Sequence, residues 1–167
     1  MNARVRLLNN KPFRPQSKYV LYWAQMNRRV ESNHALAYAV ELANQHGLPV
    51  LFYEALACNY PYASDRLHQF VFDGVPHTQK RCQKLGLGYL FYMRKDEQSP
   101  NDILYSLAAD AAAIVTDDYP VFIATRHNRT VPERVEIPYY IVDSSCIVPM
   151  SLFEKREYAA YTWRHIS

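Results

Sequence analysis

Apolar residues fall along this chain in two alternating patterns, short unbroken runs and stripes spaced three and four residues apart. The run Tyr19-Val20-Leu21-Tyr22-Trp23 is β-branched and aromatic throughout, which predicts a strand buried on both faces. From Asn33 the period changes. Leu36, Ala39, Val40 and Ala43 share one helical stripe, with Ser32 or Asn33 as N-cap and Gly47 as the stop. Residues 49–54 read as a second strand. A helical stretch follows from about Ser64 to Gly86, with a break expected near Gly74-Val75-Pro76, because an interior proline loses a hydrogen bond and clashes with the preceding turn. Residues 89–93 form a third strand. Ser99-Pro100-Asn101-Asp102 predicts a capped helix start with proline at the first helical position, and Ile103, Leu104, Leu107 and Ala108 give that helix its apolar face. A fourth strand spans 112–116, a short helix follows Pro120 and fades before Pro132, and a fifth strand spans 139–143. Residues 1–18, with Pro12, Pro15 and scattered charge, read as an extended arm.

Five apolar strands separated by helices imply right-handed crossovers and a parallel sheet covered on both faces. The expected fold is therefore α/β, a doubly wound, five-stranded parallel sheet in a three-layer α/β/α arrangement. Ligands in such sheets sit beyond the carboxyl ends of the strands, where the strand order reverses. That directs attention to residues 24–29, 54–59 and 117–120.

Composition changes this picture little. A chain of 167 residues suits one domain with a sizeable core. A formal charge of +3 neither demands nor excludes a nucleic-acid partner. The three cysteines, Cys58, Cys82 and Cys146, form no CxxC pair, so a disulfide framework or zinc site is not expected and a reduced, cytoplasmic setting suits them. No apolar run is long enough for a signal peptide or a membrane span.

Familiar chemical motifs are missing. There is no GxGxxG after the first run, no GxxxxGK[ST], no HExxH and no GxSxG. Gly86 and Gly88 precede a strand and read as a turn. Ser144-Ser145-Cys146 holds nucleophile types, but hydroxyls at a strand end commonly bond nearby backbone. Asp117 and Asp118 either cap the following helix or accept hydrogen bonds from a heterocycle in the crevice. Arg28 and Arg29 are either solvated or placed to meet an anion near a helix N-terminus. Arg126, His127, Arg129 and Arg134 make either a charged helix face or a phosphate contact. Tyr158, Tyr161 and Trp163 load the end of the chain with aromatics, which either pack back or meet a partner.

One stretch carries a longer signature. Residues 23–36, Trp23-Ala24-Gln25-Met26-Asn27-Arg28-Arg29-Val30-Glu31-Ser32-Asn33-His34-Ala35-Leu36, resemble the N-terminal signature of the photolyase/cryptochrome family, roughly W-x-R-R-D-x-R-x-x-D-N-x-A-L. Trp23, Arg29, Asn33, Ala35 and Leu36 match, and Tyr22 and Gln25 look more like the class II branch. Residues 112–117 (AAIVTD), Val142-Asp143 with Ile147-Val148-Pro149, and Glu157-Tyr158-Ala159-Ala160 with Thr162 and Arg164 resemble further family stretches in the same order. Met26, Asn27 and Ser32 stand where the family usually has arginine, aspartate and aspartate.

The resemblance implies a Rossmann-like, photolyase-type α/β domain over 19–150 and a linker over 151–167 that leads towards a flavin-binding helical domain. It implies an antenna chromophore, a deazaflavin or methenyltetrahydrofolate, held by Gln25, Met26, Asn27, Arg29, Asn33, Glu54, Asp117 and Asp118. It also implies that FAD, the DNA lesion and light-driven repair of pyrimidine dimers belong with the helical domain, so that this segment alone is inactive. The other readings are a non-enzymatic interaction domain of the same fold that pairs with a separate helical partner, and a nucleotide-binding module similar to universal stress proteins.

Overall fold

The computed structural model describes residues 3–61 and 63–153. The aromatic tail and the linker past Phe153 lie outside the described residues. In chain order the elements are β1 (Val5–Leu7), β2 (Tyr19–Trp23), α1 (His34–Gln45), β3 (Val50–Ala57), α2 (Asp65–Lys84), β4 (Gly88–Arg94), α3 (Ile103–Ala109), β5 (Ala111–Asp117), α4 (Phe122–Thr130) and β6 (Tyr139–Val142), then a single 3₁₀ turn at Met150–Leu152. The strands lie in the order β1-β6-β5-β2-β3-β4. All five expected strands are present and run parallel to one another, and the order reverses between β2 and β5.

The sheet has a sixth strand. Within the arm, Val5–Leu7 pairs antiparallel with β6, opposite residues 140–142. A three-residue edge strand interrupted by Arg6 has no alternation long enough to read. Beyond it the arm turns at residues 14–17, where Ser17 N donates to Arg14 O at 3.2 Å, and Arg14 N and Lys18 N donate to Ala112 O and Asp110 O.

Alternate residues of β2 serve two cores. Val20 and Tyr22 pack with α1, Phe52 and Cys82 on one face. Leu21 and Trp23 pack with α3 and with Val131, Val135 and Ile137 on the other. All seven residues of β5 are buried, as a central strand covered on both sides requires.

Helix ends follow local chemistry. Asn33 caps α1 as expected, its Oδ1 accepting from Ala35 N and Leu36 N at 3.1 Å each. Gly47, at φ +65, ends α1 in a Schellman turn in which Leu48 N donates to Ala43 O at 2.9 Å and Gly47 N to Asn44 O at 3.3 Å. Gly86 closes α2 the same way.

Two expectations are corrected. The helix over 65–84 is unbroken, with Pro76 inside it. Pro76 and its neighbours at 72–73 and 76–77 are exposed, so the hydrogen bond that proline removes is lost where water can replace it. The Ser99–Asp102 stretch does not build a capping box. Ser99 N and Oγ both bond Asp96 Oδ1 at 2.7 Å, which makes a turn, and the helix starts at Ile103 without a side-chain cap from Asp102.

Candidate binding site at the carboxyl ends of the strands

The chain leaves β2 at Trp23 and enters α1 at His34, and the ten residues between are fastened from three neighbouring strands. Asp117, at the end of β5, is 1% exposed. Its Oδ2 accepts from Met26 N at 2.8 Å and Asn27 N at 3.0 Å, and its Oδ1 from Asn27 Nδ2 at 3.3 Å. The Tyr22 hydroxyl lies 3.0 Å from Asn27 O and 3.4 Å from Asp117 Oδ1, and accepts from Asn33 Nδ2 at 2.8 Å. Burial raises the Asp117 carboxyl above its ordinary value, and the Asn27 and Met26 amides oppose that rise.

From β3, Glu54 holds Arg28. The guanidinium Nη1 lies 3.3 Å from Glu54 Oε2, and Nη2 donates to Ala55 O at 2.9 Å. Glu54 is buried and also accepts from the Tyr89 hydroxyl, whose acidity burial and that carboxylate suppress. Burial pushes the Cys82 thiol up to about 11, with Glu54 adding to the effect. From the end of β6, Ser144 Oγ accepts from Ala35 N at 2.8 Å, so this serine shares the α1 cap with Asn33. Arg29 Nη2 reaches Ser144 O at 3.4 Å.

The crevice between β2 and β5 is bridged by Gln25. Its Nε2 donates to Thr116 Oγ1 at 3.0 Å and Asn128 Oδ1 at 3.2 Å, and its Oε1 lies 2.7 Å from His127 Nδ1. Asn128 Nδ2 donates to Asp117 O at 3.0 Å, and Asn128 Oδ1 accepts from the Tyr139 hydroxyl at 2.9 Å. His127 packs beside Trp23, and burial lowers its basicity, with Arg126 adding to the effect.

Gln25, Met26, Asn27, Arg29, Asn33, Glu54, Asp117 and Asp118 are thus gathered at one end of the sheet, around the reversal of strand order. They divide by role. Asn33, Glu54, Asp117 and Gln25 have their polar atoms engaged in the framework. Met26 and Asn27 are half-buried, Arg29 is exposed, and neither Asn27 Oδ1 nor the rest of the Arg29 guanidinium is bonded to a described residue. Asp117 and Asp118 do not cap α4, whose N-cap is Val121 with no side-chain bond. Asp118 pairs with Arg6, at 2.7 Å. Nor do the four basic residues after β5 make one charged face, since His127 turns inward. The parts that His127, Asn128, Tyr22 and Tyr139 play in this network are not expected from the sequence, which reads His127 only as part of a charged helix face or phosphate contact, and the two tyrosines only as strand residues. Their signal was a polar His-Asn pair in a short helix that must pack on an apolar strand.

Among the described residues no three His, Cys, Asp or Glu side chains are grouped to hold a metal ion, and no helix is long and apolar enough to cross a membrane.

Comparison with known proteins bears on this arrangement. The family model for DNA photolyase matches residues 20–165. The chain is 32% identical over 162 residues to a deoxyribodipyrimidine photo-lyase of Methanothermobacter thermautotrophicus, covering 96% of this chain and 36% of that protein. A deoxyribodipyrimidine photo-lyase of Potorous tridactylus is 30% identical over 168 residues, covering 97% of this chain and 31% of that one. The chain therefore spans about a third of the length of the curated relatives it matches. Among solved structures, a class III photolyase from Agrobacterium tumefaciens superposes with a TM-score of 0.53 at 19% identity, over 73% of this chain and 25% of that one. A universal stress protein from Archaeoglobus fulgidus superposes with a TM-score of 0.50 at 18% identity, over 75% of this chain and 98% of that one. At such identities the structural likenesses establish the fold.

Proposed function

The chain belongs to the DNA photolyase family, as its N-terminal, Rossmann-like type of domain, and on that premise we propose that it binds a light-harvesting chromophore, a deazaflavin or methenyltetrahydrofolate, at the carboxyl ends of β2, β3 and β5. The observation that carries this reading is the fastening of residues 26–27 by the buried Asp117 carboxylate. A loop held by two backbone amides presents its side chains in a fixed geometry, so little ordering cost remains for binding.

The residues present fit such a group. Met26 offers a polarizable apolar contact, Asn27 Oδ1 an acceptor, and the exposed guanidinium of Arg29 a partner for a carboxylate or phosphate. Asn33, Glu54 and Asp117 keep that rim in place, and Asp118 flanks it. When bound, the chromophore supplies absorption of light and passes the excitation onward. The whole protein, in this reading, repairs pyrimidine dimers with a flavin held in a helical domain, in the cytoplasm, and this domain has no catalysis of its own. Titration of a deazaflavin or of methenyltetrahydrofolate with the purified chain tests the reading. Quenched or shifted emission that saturates supports it, and unchanged spectra of both at millimolar protein contradict it.

A second reading rests on a separate observation. Val121, Phe122 and Ile123 after β5, and Ile147 after β6, are exposed large apolar residues, with Phe122 at 79% and Ile147 at 94%. Phe122 also takes a left-handed φ of +57, which is unusual for an aromatic residue. Such residues mark a partner surface. The partner in this reading is the helical domain, whether on the same chain or a separate one. Co-purification from native extract tests it, and a stable monomer with no helical partner contradicts it.

A further inference from the structure

A cleft of about 580 Å³ lies one strand away from the β2–β5 crevice, between the arm, α4 and the carboxyl ends of β5 and β6. A smaller one of about 370 Å³ adjoins it, sharing Leu8, Asn128 and Arg129. Volumes of this order suit a small-molecule ligand. Leu8, Pro120, Ile141 and Met150 give the larger cleft apolar walls, and Tyr119 adds a ring.

The charges lining it are not equivalent. Arg4 donates to the carbonyls of Asp143, Cys146 and Ile147, and Asp143 accepts from the amides of Ser145, Cys146 and Met150. Those two groups are engaged in shaping the 143–150 loop. Arg6 sends both Nε, at 3.2 Å, and Nη2, at 2.7 Å, to the same oxygen, Asp118 Oδ2. Asp118 Oδ1 accepts nothing from any described residue, although the side chain is largely buried. The Arg129 side chain makes no hydrogen bond or ion pair with any described residue. It follows Phe122 along α4 by roughly 10 Å at a helical rise of about 1.5 Å per residue.

We propose that this cleft binds a planar heterocycle with a lactam edge and an anionic tail, of which a guanine mononucleotide is the simplest case. An adjacent N–H and C=O on a ring match the open Asp118 Oδ1 acceptor and the neighbouring Arg6 donors. The ring lies against the apolar walls and the anion pairs with Arg129. Asp118 Oδ1 is open to solvent in the cleft, so a ring that covers it without offering an N–H leaves it unpaired and is disfavoured. The site shares only Asp118 with the proposed chromophore rim, so either can fail without the other.

Calorimetric titration of the purified chain with guanosine 5′-monophosphate, adenosine 5′-monophosphate and inorganic phosphate tests the proposal. Guanosine monophosphate is expected to bind at least about tenfold tighter than the adenosine compound, which presents no lactam. Arg129→Glu, at an exposed position that leaves the fold alone, lowers that affinity at least about tenfold. Asp118→Asn abolishes the preference between the two bases, and Asn27→Ala, on the chromophore rim, changes nothing. The proposal is overturned by no heat at millimolar guanosine monophosphate, by equal affinity for both nucleotides or for phosphate alone, or by a folded Arg129→Glu protein with unaltered binding. Loss of chromophore quenching in Asn27→Ala with nucleotide binding intact concerns the other site alone.

Discussion

Two residues set the character of the carboxyl end, the buried Asp117 and the half-buried His127. Asp117 is tolerated because the Met26 and Asn27 amides converge on it. Asp117→Ala leaves those donors unpaired and opens a void, and should cost roughly 2–4 kcal/mol, read as a lower urea midpoint at constant slope. His127 differs in sign. Its folded pKa lies below the ordinary 6.5 because burial disfavours the cation. On acidification the unfolded chain therefore takes up the proton first. The stability His127 contributes is complete above pH 6.5 and is lost as pH falls through the depressed folded value. His127→Asn, whose amide can still donate to Gln25 Oε1, should lose less stability than the parent between pH 7 and pH 5. Parallel losses in the two proteins would show that another group governs the acid limb.

The elements were legible where local chemistry and burial agree. An unbroken β-branched and aromatic run gave β2, an unbroken apolar run of alanines, Ile114 and Val115 gave β5, and Asn33 with Gly47 bounded α1 within a residue. Gly47→Ala should lower stability by about 1–2 kcal/mol, because φ +65 crowds a Cβ against its own backbone and nothing else lies near. A melting scan should show a fall of about 3–6 °C. Legibility failed where tertiary context overrode the local rule. Pro76 breaks helices in general, but on the exposed side of a twenty-residue helix, anchored by Cys82, it does not. Ser99 looked like a cap until Asp96, three residues earlier, claimed it. The pairing of Asp117 with residues 91 and 90 positions earlier in the chain leaves no trace in either local sequence, so the residues at the strand ends could be named while their division into framework and rim could not.

At the scale of the molecule, the arm is the part whose role sequence pattern concealed. β1 covers the edge of β6, Arg6 pairs with Asp118, and Asn9 Oδ1 accepts from Tyr139 N at 3.0 Å. Removing residues 1–9 exposes that edge and unpairs several backbone groups. It should lower the melting temperature by about 10 °C, for a loss of about 3–5 kcal/mol. A shift under about 2 °C would mean that the arm rests on the sheet without contributing to it. The exposed apolar residues Phe122, Ile123 and Ile147 lie at the same end as the clamped loop, so an antenna pocket and a domain interface would adjoin.

The most direct test follows amide resonances of the isotopically labelled chain while a deazaflavin is added. The fastened loop should respond as a unit, with residues 24–29 and 117–118 shifting along one saturating curve and β4 unmoved. Saturating shifts confined to α2 and β4, or none at millimolar ligand, would contradict a binding site at the reversal of strand order.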